Sequence, residues 1–307
     1  MSYTLHQLKV FQKIVEFESV TKAAEALNMT QPAVSIQLRN LQDQFDTAIT
    51  EVIGRQIYIT DFGRELYVIA RRVSDEIALI EYRSKAFKGI LAGKLRFAVV
   101  STGKYVLPYF LSDFLEFNPS IDLDLDVTNK REVIESLEKN EVDFALLSLS
   151  PDHLDLEEEM LMSNYLFVVG KKDIAEEIKE LPKNIEALPF IFREEGSGTR
   201  QLMKNYLDSF SLKPKVRLQL KSNEAVKQAV LAGLGYSLLS LASMQNELKQ
   251  GQLKIMPFDD FPIQSTWCLV WLRKKKQSPV AKEFVSYIQK NKEDIISKKF
   301  GWMDDYL

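Results

Sequence analysis

The chain has 307 residues, 46% of them hydrophobic and 27% charged, with a net charge of −3. That length suits about two domains and that composition a globular protein in water. A single cysteine, Cys268, excludes an internal disulfide, a cysteine redox pair and a cysteine-rich metal site, and with only two histidines, His6 and His153, no His, Cys or carboxylate cluster has metal-ligand spacing.

Residues 4–18 place Leu5, Leu8, Phe11, Ile14 and Val15 at helical spacing, with Thr4 as N-cap. A second short helix fits "TKAAEALN", capped by Thr21 and stopped by Asn28. A third starts at "TQPAVS", with Thr30 as cap and Pro32 in the first turn, and is expected to reach about Phe45. Ala33, Val34, Leu38 and Leu41 should face inward. Gln31, Ser35, Gln37 and Arg39 should face outward, with Ile36 among them. Two short helices behind a first one suggest a helix-turn-helix, whose second helix would enter the major groove of DNA. Gln can pair with adenine and Ser with several base edges. The competing reading is that any three-helix bundle shows polar residues on its outside. Charge is no help, because the first 60 residues carry five basic against six acidic side chains. DNA affinity would need locally placed cations, helix N-termini and more than one copy of the domain.

Val52, Ile57 and Ile59 alternate around Gly54, which predicts a hairpin, or wing, with Arg55 at its tip for a phosphate or the minor groove. Residues 62 to about 88 form one long helix with a seam of Phe62, Leu66, Ile69, Val73, Ile77, Ile80 and Phe87. Such a seam suits a partner helix, or packing on the chain's own body. From "KLRFAVV" onward strands and helices alternate, the pattern of α/β lobes with a largely parallel sheet. Cys268 falls in the apolar run "TWCLVWL" and reads as a core thiol. The run "RKKK" at 273–276 lies between a strand and a helix and reads as a solvated turn.

"AAEALNMTQPAVSIQLRNLQDQF", then "GRQIYITDFG", then a long helix and two α/β lobes resemble the LysR-type transcriptional regulators. The resemblance covers the chain to about residue 296, and "VIGRQIYIT", "REEGSGTR" and "NEAVKQAVLAGLGYSLLS" are most similar to the regulators of carbon-fixation operons. It implies an α/β fold class with an N-terminal winged helix-turn-helix, a long linker helix and a two-lobed effector domain like the periplasmic binding proteins. The divisions would be 1–61 for the winged domain, 62–90 for the dimerisation helix, 91–164 with 266–296 for lobe I, and 165–265 for lobe II. Residues 297–307 form a tail without a counterpart. Implied partners are promoter DNA, a second copy of the chain in a homodimer or tetramer, a small-molecule effector and RNA polymerase. Where many members carry Phe-Glu-Arg before the wing glycine, this chain has Thr50, Glu51 and Val52, and Ile36 stands where a basic residue is often found.

Together these readings put Thr30, Gln31, Pro32, Ser35, Gln37, Arg39 and Arg55 on DNA. Three helix starts should converge on the cleft: Ser101 and Thr102; Gly196, Ser197, Gly198, Thr199 and Arg200; Ser222 and Asn223. Helix N-termini, hydroxyls and glycine backbone suit a small anion. Arg193 or Arg200 would supply full charge, while Glu194 and Glu195 should point away. The simpler alternative is that these Ser, Thr and Gly residues merely cap helices. No cofactor is expected. No apolar run approaches the roughly 20 residues that cross a bilayer. The N-terminus lacks the basic, apolar and small-residue series of a secretory signal. A cytoplasmic protein with no membrane partner is therefore expected. A solute-binding protein is the alternative, opposed by the N-terminal third. An enzyme is disfavoured, because no Ser-His-Asp set, GxSxG or phosphate loop occurs.

Overall fold

The structure, a computed structural model, describes residues 3–54, 56–173, 186 and 188–307. The chain divides into two compact units, Met1–Ile90 and Leu91–Leu307.

The first unit runs α1 (Leu5–Phe17), α2 (Val20–Ala26), α3 (Gln31–Gln42), β1 (Thr50–Ile53), β2 (Gln56–Ile59) and α4 (Asp61–Ala86). A capping box starts α1: Gln7 N donates to Thr4 Oγ1 at 3.2 Å, and Thr4 N donates to Gln7 Oε1 at 2.7 Å. Val10 and Ile14 meet Ala23, Ala24 and Val34, and the two alanines let α2 come close. On the other side Phe11 meets Leu41, Ile49, Leu66 and Ala70.

Two helix ends differ from the sequence expectation. α2 is capped by Ser19, whose backbone is extended and whose Oγ accepts from Lys22 N, so Thr21 falls inside the first turn. α3 stops at Gln42 rather than near Phe45. There Gln42 turns its amide onto the following loop, accepting from Ile49 N at 2.7 Å and donating to Thr47 O at 3.2 Å. Phe45 leaves the helix to pack edge-on against Phe62. The hairpin pairs Thr50 with Ile59 through Ile53 with Gln56, and Gly54 has φ +66°. Thr60 then caps α4, accepting from Gly63 N at 3.0 Å while its hydroxyl donates to Ala48 O. A Cβ at Gly63 would overlap the Ile49 carbonyl oxygen, so any larger residue would force this junction to shift. Gln12 and Ser74 exchange two hydrogen bonds between α1 and α4. Farther round α4, Ile69 and Ile80 are exposed.

The second unit runs β3 (Gly93–Val100), a 3-10 turn (Gly103–Tyr105), α5 (Leu107–Phe117), β4 (Ile121–Thr128), α6 (Lys130–Glu138), β5 (Phe144–Leu147) and β6 (Leu156–Lys171). It continues with β7 (Pro189–Arg193), α7 (Gly198–Ser209), β8 (Lys215–Leu220), α8 (Asn223–Leu231), β9 (Ser237–Ser240), α9 (Gln245–Lys249), β10 (Leu253–Ile255), β11 (Ile263–Leu272) and α10 (Pro279–Phe300). The main sheet has the order β10-β6-β11-β5-β3-β4, with β9 also on β6.

This sheet is mixed, which corrects the expectation of a largely parallel one. β3 is parallel to β4 and β5, but β11 returns late in the chain, inserts between β5 and β6, and runs against both. β9 and β10 also run against β6. β6 is longer than its apolar run "YLFVVGK" suggests, since Leu156–Asn164 extends the strand ahead of it. One hydrophobic cluster surrounds Phe97, Phe110, Phe144, Trp267 and Phe284, and another gathers Leu166, Phe190, Leu202, Met203 and Tyr236. The first also draws Val226, Val230, Leu241 and Met244 from the segment read as lobe II.

The tail is an integral part of this unit. α10 continues to Phe300, which packs on Tyr109 and Phe110 of α5, and a 3-10 turn at Gly301–Tyr306 buries Met303. The basic run at 273–276 begins as a turn, with Arg273 paired to Asp155 and Lys275 to Asp143. Cys268 is only half-buried, packing against the first cluster from its edge and not within the core as expected, and burial, with Glu158 nearby, pushes its thiol up to about 11.

Candidate functional site

Two surfaces collect the residues singled out in the sequence. The first is the outer side of α3. Thr30 accepts from Ala33 N and fixes the helix start, which Pro32 tolerates because no N–H is needed there. Val34 and Leu41 are fully buried and mark the inner direction. Thr30, Gln31, Pro32 and Arg39 are exposed, whereas Ser35 and Gln37 are half-buried on the flanks. Arg55 lies outside the described residues.

The second surface is in the Leu91–Leu307 unit. Ser197 caps α7, accepting from Arg200 N, and Ser222 caps α8, accepting from Ala225 N. The Ser101–Thr102 segment enters a short 3-10 turn with no side-chain cap, so Ser101 is left for other partners. Arg193 Nη1 donates to Ser101 Oγ at 3.1 Å and to Asn223 Oδ1 at 2.6 Å. Asn223 N donates to the same Ser101 hydroxyl at 3.5 Å. Ser101, Arg193 and Asn223 thus form one cluster from the ends of β3 and β7 and the start of α8. Thr102, Ser197 and Thr199 are buried beside their turns, and Gly196, at φ +85°, is exposed. Asn223 is 2% exposed, and its Nδ2 finds no acceptor among the described residues. An unpaired buried amide costs roughly 1–3 kcal/mol, so this atom is suited to a polar ligand.

The charges are arranged differently from the expectation. Glu194 does not point away: its carboxylate takes both sides of the Arg193 fork, at 2.8 and 2.9 Å. Glu195 pairs with Arg200 Nη2 at 2.5 Å, while Arg200 Nη1 donates to Arg193 O and Gln219 Oε1. Both arginines are therefore already neutralised. Two further side chains border the glycine turn: a Cβ on Gly196 would touch the Cβ of Arg131, and one on Gly198 would touch Ser148 Oγ, each at 3.5 Å. Arg131 is mostly exposed and only loosely paired, 3.8 Å from Glu135.

Sequence reasoning also missed a charged cluster beside Asn223. Lys227 is 6% exposed, bonded to Ser243 O, 2.7 Å from Glu247 and 3.4 Å from Glu224. Tyr105 donates to Glu224 at 2.5 Å and lies under the Lys227 ammonium. Burial, reinforced by Glu224 and Glu247, pushes the Tyr105 phenol far above its ordinary range. Burial would raise the Glu224 carboxyl too, but Tyr105, Gln228 and Lys227 outweigh it and hold it at about 2. The available signal was a lysine on the buried face of α8, in line with Asn223, Val226 and Val230. Among the described residues no cluster of His, Cys, Asp or Glu could hold a metal ion, and no helix is long and apolar enough to cross a membrane.

Comparison with known proteins agrees with this division of labour. Residues 5–64 match the family described as bacterial regulatory helix-turn-helix protein, lysR family, and residues 88–293 match the LysR substrate binding domain. The RuBisCO operon transcriptional regulator of Allochromatium vinosum is 36% identical over 94% of this chain and 96% of its own. The HTH-type transcriptional activator CmpR of Synechocystis is 35% identical over 93% and 94%. Among solved structures, the Synechocystis CcmR regulatory domain in complex with 2-PG is 34% identical, with a TM-score of 0.61 over 66% of this chain and 98% of that one. Full-length CbnR complexed with its target DNA shares the fold at 20% identity, with a TM-score of 0.69 over 94% and 99%. A protein that only bound solutes would have no use for residues 5–64. The chain belongs to the LysR-type family of DNA-binding transcriptional regulators, and is similar to its carbon-fixation-operon branch.

Proposed function

We propose that this chain is a cytoplasmic homodimeric regulator of carbon-fixation genes whose promoter binding responds to a small anion of the 2-PG kind. The observation that carries the effector reading is the Ser101–Arg193–Asn223 cluster with its unpaired Asn223 Nδ2. Thr102, Gly196, Ser197, Gly198, Thr199, Arg200 and Ser222 complete the site as backbone and hydroxyl donors. The similar CcmR domain binding 2-PG supports this choice of anion. In this reading, Glu194 acts as an internal stand-in for the effector, and an arriving anion must replace its carboxylate on Arg193. Binding is thereby an exchange of partners, and it shifts the protein toward whichever arrangement of the unit favours the exchange.

On DNA, Gln31, Ser35 and Gln37 would read base edges, while Thr30, Pro32, Arg39 and Arg55 would position the helix and wing. We divide the chain as 1–61, 62–90, lobe I at 91–164 and 266–296, lobe II at 165–265, and the tail. Two copies joined through α4 would suit inverted half-sites about 34–36 Å apart. RNA polymerase would be the downstream partner.

Calorimetric titration of the full-length protein with 2-PG tests the site. Wild type should bind; Ser101→Ala should bind about tenfold more weakly, the worth of one charge-assisted hydrogen bond. Glu194→Gln should bind more tightly, because the Arg193 fork is released. Absence of heat in wild type and in Glu194→Gln alike would remove the 2-PG reading.

A further inference from the structure

The outer ridge of α3 carries a residue that hydrogen-bond readout does not use. At about 100° per residue, with Val34 and Leu41 pointing inward, Pro32, Ile36 and Arg39 form the opposite ridge. Ser35 and Gln37 fall to either side of it. Ile36 stands at the crest and is 56% exposed. Its side chain has no donor or acceptor, so it cannot pair with the N7, O6, N6 or N4 atoms of the bases. The one apolar group that the major groove displays on a base pair is the thymine C5-methyl. A β-branched side chain in a helix also keeps essentially one χ1 rotamer, so docking it orders little that was free.

We propose that Ile36 is a specificity-determining residue that reads a thymine C5-methyl group in each half-site. This rests on α3 being the reading helix. The methyl packs against the sec-butyl side chain at the crest, while the flanking Ser35 and Gln37 are left to hydrogen-bond neighbouring bases. Ile36 adds preference without adding charge, so it contributes nothing to the salt dependence of binding.

The test uses the full-length protein and duplexes that wild type enriches from a randomised pool. In an enriched duplex each thymine is replaced in turn by deoxyuridine, which removes only the methyl group. At one position per half-site, wild-type affinity should fall about fourfold, the worth of one methyl leaving water. Ile36→Ala should bind the thymine and uracil duplexes equally, and Ile36→Val should retain part of the difference. The proposal is overturned if no thymine is sensitive, or if the sensitivity persists in Ile36→Ala. If no sequence is enriched at all, the DNA-reading assignment of α3 fails first, an outcome distinct from enriched sites that ignore the methyl.

Discussion

Glu224 shows how one carboxylate can tie separate elements of the Leu91–Leu307 unit together. It accepts from Tyr105, just before α5, and pairs with Lys227 on α8, which in turn pairs with Glu247 on α9. Its carboxyl is held at about 2, below the ordinary 4.5. A depressed carboxyl stabilises the folded state above the unfolded value and loses that contribution as pH falls through the folded one. Stability should therefore decline between about pH 4.5 and 2, and Glu224→Gln should flatten that segment of a denaturant-unfolding series. An unchanged slope would mean that other carboxylates carry the acid sensitivity. At this scale the sequence singled out Ser101, Arg193 and Asn223, which hydrogen-bond to one another in the fold, because each sits at a strand or helix end with its own local signature. It did not reveal Tyr105, Lys227 or the turning of Glu194 onto Arg193. Those depend on partners across the fold or on one rotamer, and periodicity carries no record of either.

Elements were legible where local chemistry decides them. The apolar spacing and caps of α1 and α3, the hairpin around Gly54 and the long α4 were all readable before any contact was known. β6 was only half readable, because Glu157, Glu158 and Glu159 break the apolar run that marks a buried strand. Their strand state is imposed by β11, where Trp271 Nε1 donates to Glu157. The tail was opaque for a similar reason, since Phe300 needs α5, which is remote in sequence. Gly63 is an element-scale constraint that spacing alone does not expose. Gly63→Ala would force the start of α4 off the Ile49 carbonyl, with the typical overpacking cost of about 1–3 kcal/mol. Thermal unfolding should show this loss, with weaker DNA binding alongside; an unshifted transition would mean that the junction yields easily.

For the molecule as a whole, α4 carries apolar side chains that its own unit leaves uncovered. Leu66 and Ala70 are spent on α1, but Ile69 and Ile80 remain exposed at 56% and 69%. If α4 pairs with a second copy, Ile80→Asp should shift sedimentation from dimer to monomer and weaken DNA binding by the loss of the second half-site. A dimer that survives this substitution would place the contact elsewhere. The β6–β11 ladder has a further consequence. These two strands are joined by ten residue pairs, with one irregularity between Trp267 and Cys268. Pulling its ends apart or sliding one strand along the other would break many hydrogen bonds together, whereas a change of twist near the irregularity would break few. A ladder built this way is expected to resist stretch more than twist, with Trp267 and Cys268 as the place where twist is easiest.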